Sequence, residues 1–326
     1  MSVLIITHSE DNESVARVIE AIARKGGQTI RFDTDRYPTD VLLTAYYDAG
    51  GDERLTLTNE EGEFDLREVD SIWHRRLNIA ARLPAELDKQ LRHASVGEAS
   101  AAAHGMLGSL KAFRMDHLHH IRHAENKQLQ LQVARELGLD IPRTLTTNDP
   151  NAARAFAKSC EGGIVTKMLS SFAIYEEGKE LVVFTNPVKQ EDLADLSGLS
   201  LCPATFQELL VKSLEIRVTV VGQRVMSASI DSQVSTRATH DWRRDGLNML
   251  EDWEPYQLPI EVEEKILRLM DYFSLNYGAI DIILTPNGKH IFLELNPCGE
   301  FFWLERTGLP ISDAIADLLL GHSPRR

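Results

Sequence analysis

The sequence has few cysteines and a deficit of basic charge. Its 326 residues contain only Cys160, Cys202 and Cys298, which form no C-x-x-C pair. This spacing excludes a disulfide framework and the usual zinc motifs, and it favours reduced, mostly packed thiols. Because 35 Lys and Arg stand against 49 Asp and Glu, the formal net charge is −14. We therefore expect neither a nucleic-acid backbone nor an anionic membrane as a partner.

Long apolar runs and targeting signals are missing as well. No window approaches the roughly 18 apolar residues of a membrane span, and Met1–His8 has no basic region before its short apolar run. We therefore expect a cytoplasmic protein. The length corresponds to about two domains of ~150 residues, which is enough to fold without disulfides or structural metals.

The common phosphate-binding signatures are also missing. The chain has no G-x-x-x-x-G-K-[ST], no G-x-G-x-x-G after its first strand and no protein-kinase motif set, which excludes P-loop, Rossmann and kinase interpretations. The histidine-rich stretch Asp116–His123 lacks H-E-x-x-H and a partnered cysteine cluster. An ordinary polar connection is therefore favoured there over a zinc site.

Hydrophobic patterning predicts an α/β chain that opens with a βαβ unit. A strand over Val3–Thr7 leads through the N-cap candidate Asn12 into an amphipathic helix, and a second strand follows at Thr29–Phe32. A helix over Pro84–Ala112 then bridges to the rest of the chain. Three further strands are predicted before that helix, at Leu42–Tyr47, Leu55–Thr58 and Ser71–Arg75.

Strands and helices continue to alternate beyond residue 116. The predicted helices cover Glu125–Leu137, the residues after Pro150, Glu261–Phe273 and Ile311–Leu320. The predicted strands cover Arg143–Thr146, Gly163–Lys167, Val182–Thr185, Ala204–Leu209, Leu214–Val221, Arg224–Ile230, Gly278–Leu284 and His290–Leu295.

A predicted β-hairpin carries the most informative polar residues. Two apolar strands flank Asn287-Gly288, and a turn centred there places Asp281 opposite Glu294, with Asn296 on the same face. Unneutralised facing carboxylates in apolar strands are costly, so a hard divalent cation such as Mg²⁺ would stabilise them, and removing either would relieve like-charge strain. The alternative is an exposed face with solvated charges. Pro286 adds a complication, because a three-residue loop would break this register.

Two lysines are candidates for binding phosphate. Lys127 begins a predicted helix and Lys167 ends a β-branched run. Each alone is typical of a surface lysine, and only their combination with the carboxylate pair indicates a site. Glu215 and Arg217 share one face of a predicted strand, and the alternative for them is a cross-strand ion pair.

The chain resembles the ATP-grasp ligases in motifs that recur in the same order. Within that superfamily it looks like the microviridin-type peptide macrocyclases, or graspetide synthetases, and more like their ester-forming than their lactam-forming branch. The resemblance covers nearly the whole chain. Its main motifs are Asn126-Lys127, Lys167, Gln207-Glu208, Glu215–Gly222, Asp281, Glu294–Asn296, Asp241–Arg244 and Gly299–Glu305.

The resemblance implies an α/β ATP-grasp fold in three parts and a homodimer. The parts are a pre-ATP-grasp domain with a bridging helix (residues 1–115), a central subdomain (116–200) and a C-terminal ATP-grasp domain (201–326). ATP would be clamped between two antiparallel sheets. The implied ATP-binding residues are Lys127, Lys167, Ser170, Ser171, Gln207, Glu208, Leu209, Leu210 and Glu215. The implied Mg²⁺ ligands are Asp281, Glu294 and Asn296.

The implied reaction transfers the γ-phosphoryl group of ATP to a Glu or Asp side chain of a ribosomally made precursor peptide. A Thr or Ser hydroxyl then attacks to close an ester, without a cysteine or serine nucleophile on the enzyme. Arg217 would stabilise the acyl phosphate, Arg243 or His240 would orient the substrate carboxylate, and Asp231 is a candidate base. A lactam-forming or amino-acid-adding ligase stays open, as does a non-catalytic, nucleotide-gated peptide-binding protein.

An acidic cluster, Glu191, Asp192 and Asp195, is the candidate leader-peptide site. In relatives this region follows a hairpin near the leader, which carries an arginine-containing amphipathic helix. Arginine–carboxylate contacts would suit that task. The alternative is a solvated acidic face.

Overall fold

A computed structural model describes residues 1–169, 173–176, 179–182, 185–234 and 249–326. Helices and strands alternate along most of the chain, as the hydrophobic patterning predicts. Within these residues, no helix has the length and apolar character needed to cross a membrane.

The N-terminal part contains two sheets and two helices. Its elements are β1 (Ser2–Thr7), α1 (Glu13–Arg24), β2 (Gln28–Asp33), β3 (Leu42–Tyr47), β4 (Glu53–Asn59), β5 (Gly62–Asp65), β6 (Ser71–His74), α2 (Lys89–Ser109) and β7 (Phe113–Arg114). The first sheet is parallel in the order β2-β1-β6-β7, and the second is antiparallel in the order β3-β4-β5. Since β1 lies between β2 and β6, the loops after β1 and β6 meet at a topological switch point.

Helix caps account for where the first two helices begin. Asn12 caps α1 as predicted, because its side-chain oxygen accepts a hydrogen bond from the Ser14 N–H (2.9 Å). The bridging helix is shorter than predicted, since Asp88 accepts hydrogen bonds from the N–H groups of Gln90 and Leu91 (2.9 and 3.3 Å). Pro84 therefore lies outside α2, in the turn before the cap.

The central part contains an antiparallel sheet in the order β12-β9-β13-β8. The predicted strand over Val182–Thr185 lies partly outside the described residues: Val182 is the last residue of one strand, and Thr185 directly precedes the strand that begins at Asn186. The elements are α3 (Leu118–Ala124), α4 (Lys127–Glu136), β8 (Thr144–Thr147), α5 (Pro150–Ser159), β9 (Ile164–Lys167), β10 (Ala173–Glu176), β11 (Lys179–Val182), β12 (Asn186–Pro187), α6 (Gln190–Ala194) and β13 (Ala204–Glu208).

The histidine-rich stretch forms the short helix α3, which patterning did not predict. Ile121 packs into the core beneath the C-terminal sheet. The carboxylate of Asp116 accepts hydrogen bonds from the N–H groups of Asn276 and Tyr277 (2.7 and 3.2 Å), and burial raises the pKa of this carboxyl. In the described ranges, no group of three or more His, Cys, Asp or Glu is arranged to hold a metal ion. The stretch ties the central part to the C-terminal part.

The C-terminal part is built on an antiparallel sheet in the order β16-β15-β14-β17-β18. Its elements are β14 (Leu214–Val221), β15 (Arg224–Ile230), β16 (Glu254–Pro255), α7 (Ile260–Phe273), β17 (Tyr277–Leu284), β18 (His290–Asn296) and α8 (Ile311–Leu319). The bounds of β14 and β15 agree with the prediction, and those of β17, β18, α7 and α8 differ from it by one residue.

Two hydrophobic cores organise the functional region. One joins β1 and α1 to Phe301, Trp303 and α8, so both ends of the chain share it. The other packs α4 and α7 beneath the C-terminal sheet. The domain boundaries predicted at residues 115 and 200 stay a prediction.

Candidate active site

The β17–β18 hairpin brings Asp281 opposite Glu294, as predicted, although its loop differs from the predicted one. The Thr285 N–H donates to Lys289 O (3.0 Å), which leaves a three-residue loop ending at Gly288, whose φ is +81°. Next to the loop the pairing is shifted by one residue from the prediction. A bulge between Asp281 and Ile282 restores the predicted register at the carboxylates.

Two cations of the chain neutralise these carboxylates. Arg217 lies directly opposite Asp281 on β14, and its Nη1 donates to Asp281 Oδ1 (2.6 Å). Lys127 Nζ lies 3.2 Å from Glu294 Oε2 and donates to Asn296 Oδ1 (3.0 Å). The predicted like-charge strain is therefore wrong. The solvated-face alternative is also wrong, because the two carboxylate side chains are only 27% and 19% exposed and both are paired.

A buried glutamine sets the position of Lys127. Asn126 caps α4 by accepting from the Leu129 N–H (3.1 Å), as is typical of an N-cap. One turn on, Gln130 is completely buried, and its side chain bonds to both the N–H and the C=O of Leu295 (2.8 Å each). This pairing holds the start of α4 against β18, so Lys127 faces the hairpin carboxylates.

A cleft contains both candidate phosphate lysines. Lys127 reaches it from α4 and Lys167 from the end of β9, so two lysines distant in sequence meet in one cavity. Ammonium groups beside an apolar lining suit a ligand with anionic and flat apolar parts. The cleft is lined by Lys127, Gln128, Leu131, Thr144, Thr146, Lys167, Leu169, Thr205 and Leu293.

The first residues predicted to contact adenine follow the cleft along β13. Gln207 is buried, and its Nε2 donates to Thr144 Oγ1, a cleft-lining group (3.1 Å). Glu208 Oε1 accepts a hydrogen bond from the Arg143 N–H (2.8 Å). Both side chains thus fix β13 to the neighbouring segment, and their nucleotide contacts stay a prediction.

Three further predicted nucleotide contacts follow along the chain, Leu209 and Leu210 directly after β13 and Glu215 on β14. The Leu209 N–H donates to Gly163 O (3.0 Å), and Leu210 beside it is half-buried. Glu215 Oε1 lies 2.5 Å from Lys212 Nζ, which is an ion pair between residues three positions apart and not the cross-strand pair given as the alternative. Arg217 instead makes a cross-strand pair with Asp281.

Several predicted site residues lie apart from this cluster or outside the described residues. Ser170, Ser171, His240 and Arg243 belong to the second group. Asp231 is exposed at the end of β15, and its Oδ1 accepts from the Gln233 N–H (2.9 Å).

The predicted leader-binding acids lie in the short helix α6 or directly after it. Asp192 accepts from the Lys189 N–H (2.7 Å) and so caps this helix, whereas Glu191 is 74% exposed with its Oε1 3.3 Å from Lys189 Nζ. Asp195 accepts from the Ser197 N–H (3.0 Å), and that backbone hydrogen bond lowers the pKa of its carboxyl. Two of the three acids therefore have structural contacts.

The loop after Asn296 was given no role in the sequence analysis, although Gly299–Glu305 is one of the motifs of the resemblance. Gly299 packs so closely that an added Cβ would lie 2.4 Å from Ala279 Cβ and 3.2 Å from Arg217 Nη2. Burial raises the pKa of Cys298 to about 12, so its thiol stays protonated and is a poor nucleophile. The signal available in the sequence was a glycine three residues after Asn296, the last predicted metal ligand.

Comparisons with known proteins agree with this fold. Residues 2–122 match the family model of the MvdD pre-ATP grasp domain. The macrocyclase MdnC from Microcystis aeruginosa MRC, crystallised with precursor peptide MdnA, is 47% identical over 98% of this chain and 100% of that chain, with a TM-score of 0.89. MdnB from the same organism is 37% identical over 98% and 99%, with a TM-score of 0.83.

A third solved structure extends the comparison to another organism. The RiPP-associated ATP-grasp ligase of Chryseobacterium gregarium, in complex with ADP and a leader and core peptide, is 40% identical over 99% of this chain and 98% of that chain. Its TM-score is 0.94. No curated protein matches the chain.

The fold and these comparisons therefore define an ATP-grasp ligase. The chain belongs to the microviridin-type, or graspetide, family of ATP-grasp ligases. Both the predicted fold class and the predicted family are confirmed.

Proposed function

We propose that this protein is an ATP-dependent macrocyclase that joins Glu or Asp side chains of a ribosomally made precursor peptide to Thr or Ser hydroxyls. The observation that carries the proposal is the convergence of Lys127 and Lys167 on one cleft beside the Asp281–Glu294 pair. The peptides crystallised with MdnC and with the Chryseobacterium ligase support a peptide substrate, and the ADP of the latter supports the nucleotide.

The reaction is balanced by one ATP for each ring. The substrate carboxylate takes the γ-phosphoryl group, which gives an acyl phosphate and ADP. The hydroxyl oxygen then attacks the acyl carbon, the bond from that carbon to the phosphate oxygen breaks, and phosphate leaves as the hydroxyl proton is lost. Such transfers depend on positioning and charge neutralisation rather than on an enzyme nucleophile.

The hairpin oxygens fit Mg²⁺. Asp281, Glu294 and Asn296 supply two carboxylates and an amide oxygen on neighbouring strands, and magnesium prefers such all-oxygen sets. These residues would hold the metal, which supplies charge neutralisation for phosphoryl transfer when bound. The Mg²⁺ requirement and the ligand set are part of the proposal.

The remaining proposed roles are those that the resemblance to ATP-grasp ligases implies. Lys127 and Lys167 bind phosphate oxygens, and Arg217 stabilises the acyl phosphate. The other proposed ATP contacts are Ser170, Ser171, Gln207, Glu208, Leu209, Leu210 and Glu215. Arg243 or His240 orients the substrate carboxylate, and Asp231 is the candidate base.

Ester formation is tested by the mass of the peptide product and by its hydrolysis in mild alkali. With its precursor, ATP and Mg²⁺, the protein is expected to release ADP and to lower the peptide mass by one water per ring, and mild alkaline hydrolysis should restore the linear mass. Unreacted precursor treated with the same alkali is the control. Rings that survive alkali would assign the protein to the lactam branch, and a mass gain would indicate amino-acid addition. Peptide binding without ADP release would indicate a non-catalytic binding protein.

The acidic cluster around α6 is proposed to dock the leader. Asp192→Asn and Asp195→Asn with Glu191→Gln remove three charges while preserving the capping contacts. We expect weaker leader binding with a smaller salt dependence, because each arginine–carboxylate contact that is lost removes an electrostatic attraction.

Calorimetry at two salt concentrations measures that change in leader affinity. The matched control removes the same charge from exposed acids elsewhere, with Glu61, Glu63 and Glu68 changed to Gln. Leader affinity and salt dependence equal to those of the control variant would leave the cluster as a solvated acidic face.

A further inference from the structure

We propose that Arg75, from the N-terminal part, is a positioning residue that fixes the loop 297–300 and, through it, Arg217 and Asn296. The kinetic part of this inference rests on the proposed function. Its structural part concerns only the contacts between β6 and the loop after β18.

Arg75 is buried where the loops after β1 and β6 meet. It follows β6 directly, is 3% exposed, and its Nη1 donates to Cys298 O (2.6 Å). Its Nη2 contacts the Glu300 carboxylate, and its Nε lies 3.7 Å from Asp11 Oδ2. A buried guanidinium is costly unless it is paired, and here two acids pair with it, one of them from the C-terminal part.

The loop 297–300 is held by its backbone carbonyls. Three consecutive carbonyl oxygens each accept a hydrogen bond from a different buried side chain. The pairs are Cys298 O with Arg75 Nη1 (2.6 Å), Gly299 O with Tyr277 Oη (2.6 Å) and Glu300 O with Arg217 Nη2 (3.2 Å). The Glu300 carboxylate is held as well, by Asn12 Nδ2 and by Arg76.

The position of this loop affects the reaction site through its contact with Arg217. Its two terminal nitrogens bond to Glu300 O and to Asp281 Oδ1, so the loop supplies one of its two anchors. The Gly299 N–H donates to Asn296 O (3.2 Å), which links the same loop to the backbone of the residue whose side-chain amide belongs to the oxygen set. A misplacement of about 1 Å at a distance from the chemistry can lower a rate by about a hundredfold. Arg75 therefore acts on turnover without touching substrate.

The test compares Arg75→Gln and Arg75→Lys with a matched control. The control variant is Arg114→Gln. Arg114 is a partly buried arginine whose side chain also donates to backbone carbonyls, in this case those at the end of α2. Arg75→Gln is expected to lower kcat for ADP release by about tenfold to a hundredfold while KM for ATP changes little. Arg75→Lys, which keeps the charge, should restore part of kcat. Amide hydrogen exchange over residues 296–301 should accelerate in Arg75→Gln and stay unchanged in Arg114→Gln.

Hydrogen exchange separates this inference from the proposed function. If the wild type shows no turnover, the proposed function fails, and the exchange rates still decide whether Arg75 holds the loop. Wild-type exchange over residues 296–301 in Arg75→Gln would overturn the proposal, as would faster exchange with wild-type kcat. If Arg75→Gln does not fold, Arg75→Lys decides. Faster loop exchange with a reduced kcat supports the proposal, and any other outcome for that variant overturns it.

Discussion

Replacing Asp281 with asparagine is expected to lower ATP turnover by about a hundredfold to a thousandfold, since metal-assisted charge stabilisation contributes several kcal/mol. Asparagine keeps an oxygen that can accept the hydrogen bond from Arg217 Nη1, but it lacks the negative charge that a divalent cation requires. We therefore expect a folded protein with a deficient metal site. ADP release at increasing Mg²⁺ measures the change, and Asp313→Asn on α8 is the control.

The alanine variant tests how much the ion pair between Asp281 and Arg217 stabilises the fold. Asp281→Ala removes the only carboxylate within salt-bridge distance of Arg217 among the described residues, and that guanidinium is 9% exposed. Removing one partner of a partly buried ion pair should lower the free energy of unfolding by about 1–3 kcal/mol, which is less than for a fully buried pair. Denaturant unfolding should therefore give a lower free energy of unfolding for Asp281→Ala than for Asp281→Asn. ADP formation near the wild-type rate in Asp281→Asn at saturating Mg²⁺ would remove Asp281 from the metal set.

Local signals were sufficient to predict the elements that carry the site. Two apolar strands around Asn287-Gly288 placed Asp281 opposite Glu294, and the bulge compensates for a loop that those signals did not determine. The helix pattern and Asn126 placed Lys127 at a helix start. These features depend on neighbours within one hairpin or one helical turn, which the sequence records directly.

Partners from distant strands were not predictable in the same way. Nothing in the sequence of β17 indicates that β14 lies beside it, so the pairing of Arg217 with Asp281 rests on sheet order. Arg75 is separated from Cys298 by 223 positions, and a side chain that bonds to a backbone carbonyl leaves no pattern in the sequence. The sequence therefore indicated oxygen ligands but not the cations that pair with them.

Replacing Gly299 with alanine is expected to disturb both stability and turnover. The added Cβ would lie 2.4 Å from Ala279 Cβ and 3.2 Å from Arg217 Nη2 and Asn296 Cβ. Ala279 cannot yield, because β17 is paired on both sides by β14 and β18. The loop must therefore move, at a cost of about 1–3 kcal/mol in the free energy of unfolding. A fall in kcat of up to about a hundredfold should accompany it.

A second substitution tests whether this steric contact is the cause. Ala279→Gly removes the methyl group that the new Cβ would meet, so the double variant should recover most of the kcat that Gly299→Ala loses. The control is Gly105→Ala, where an added Cβ meets no atom within 4 Å in α2, and it should stabilise the fold by about 0.4–1 kcal/mol without changing kcat. Denaturant unfolding and ADP release measure both quantities. A wild-type kcat in Gly299→Ala, or a double variant as slow as the single one, would show that close packing at Gly299 does not position Arg217.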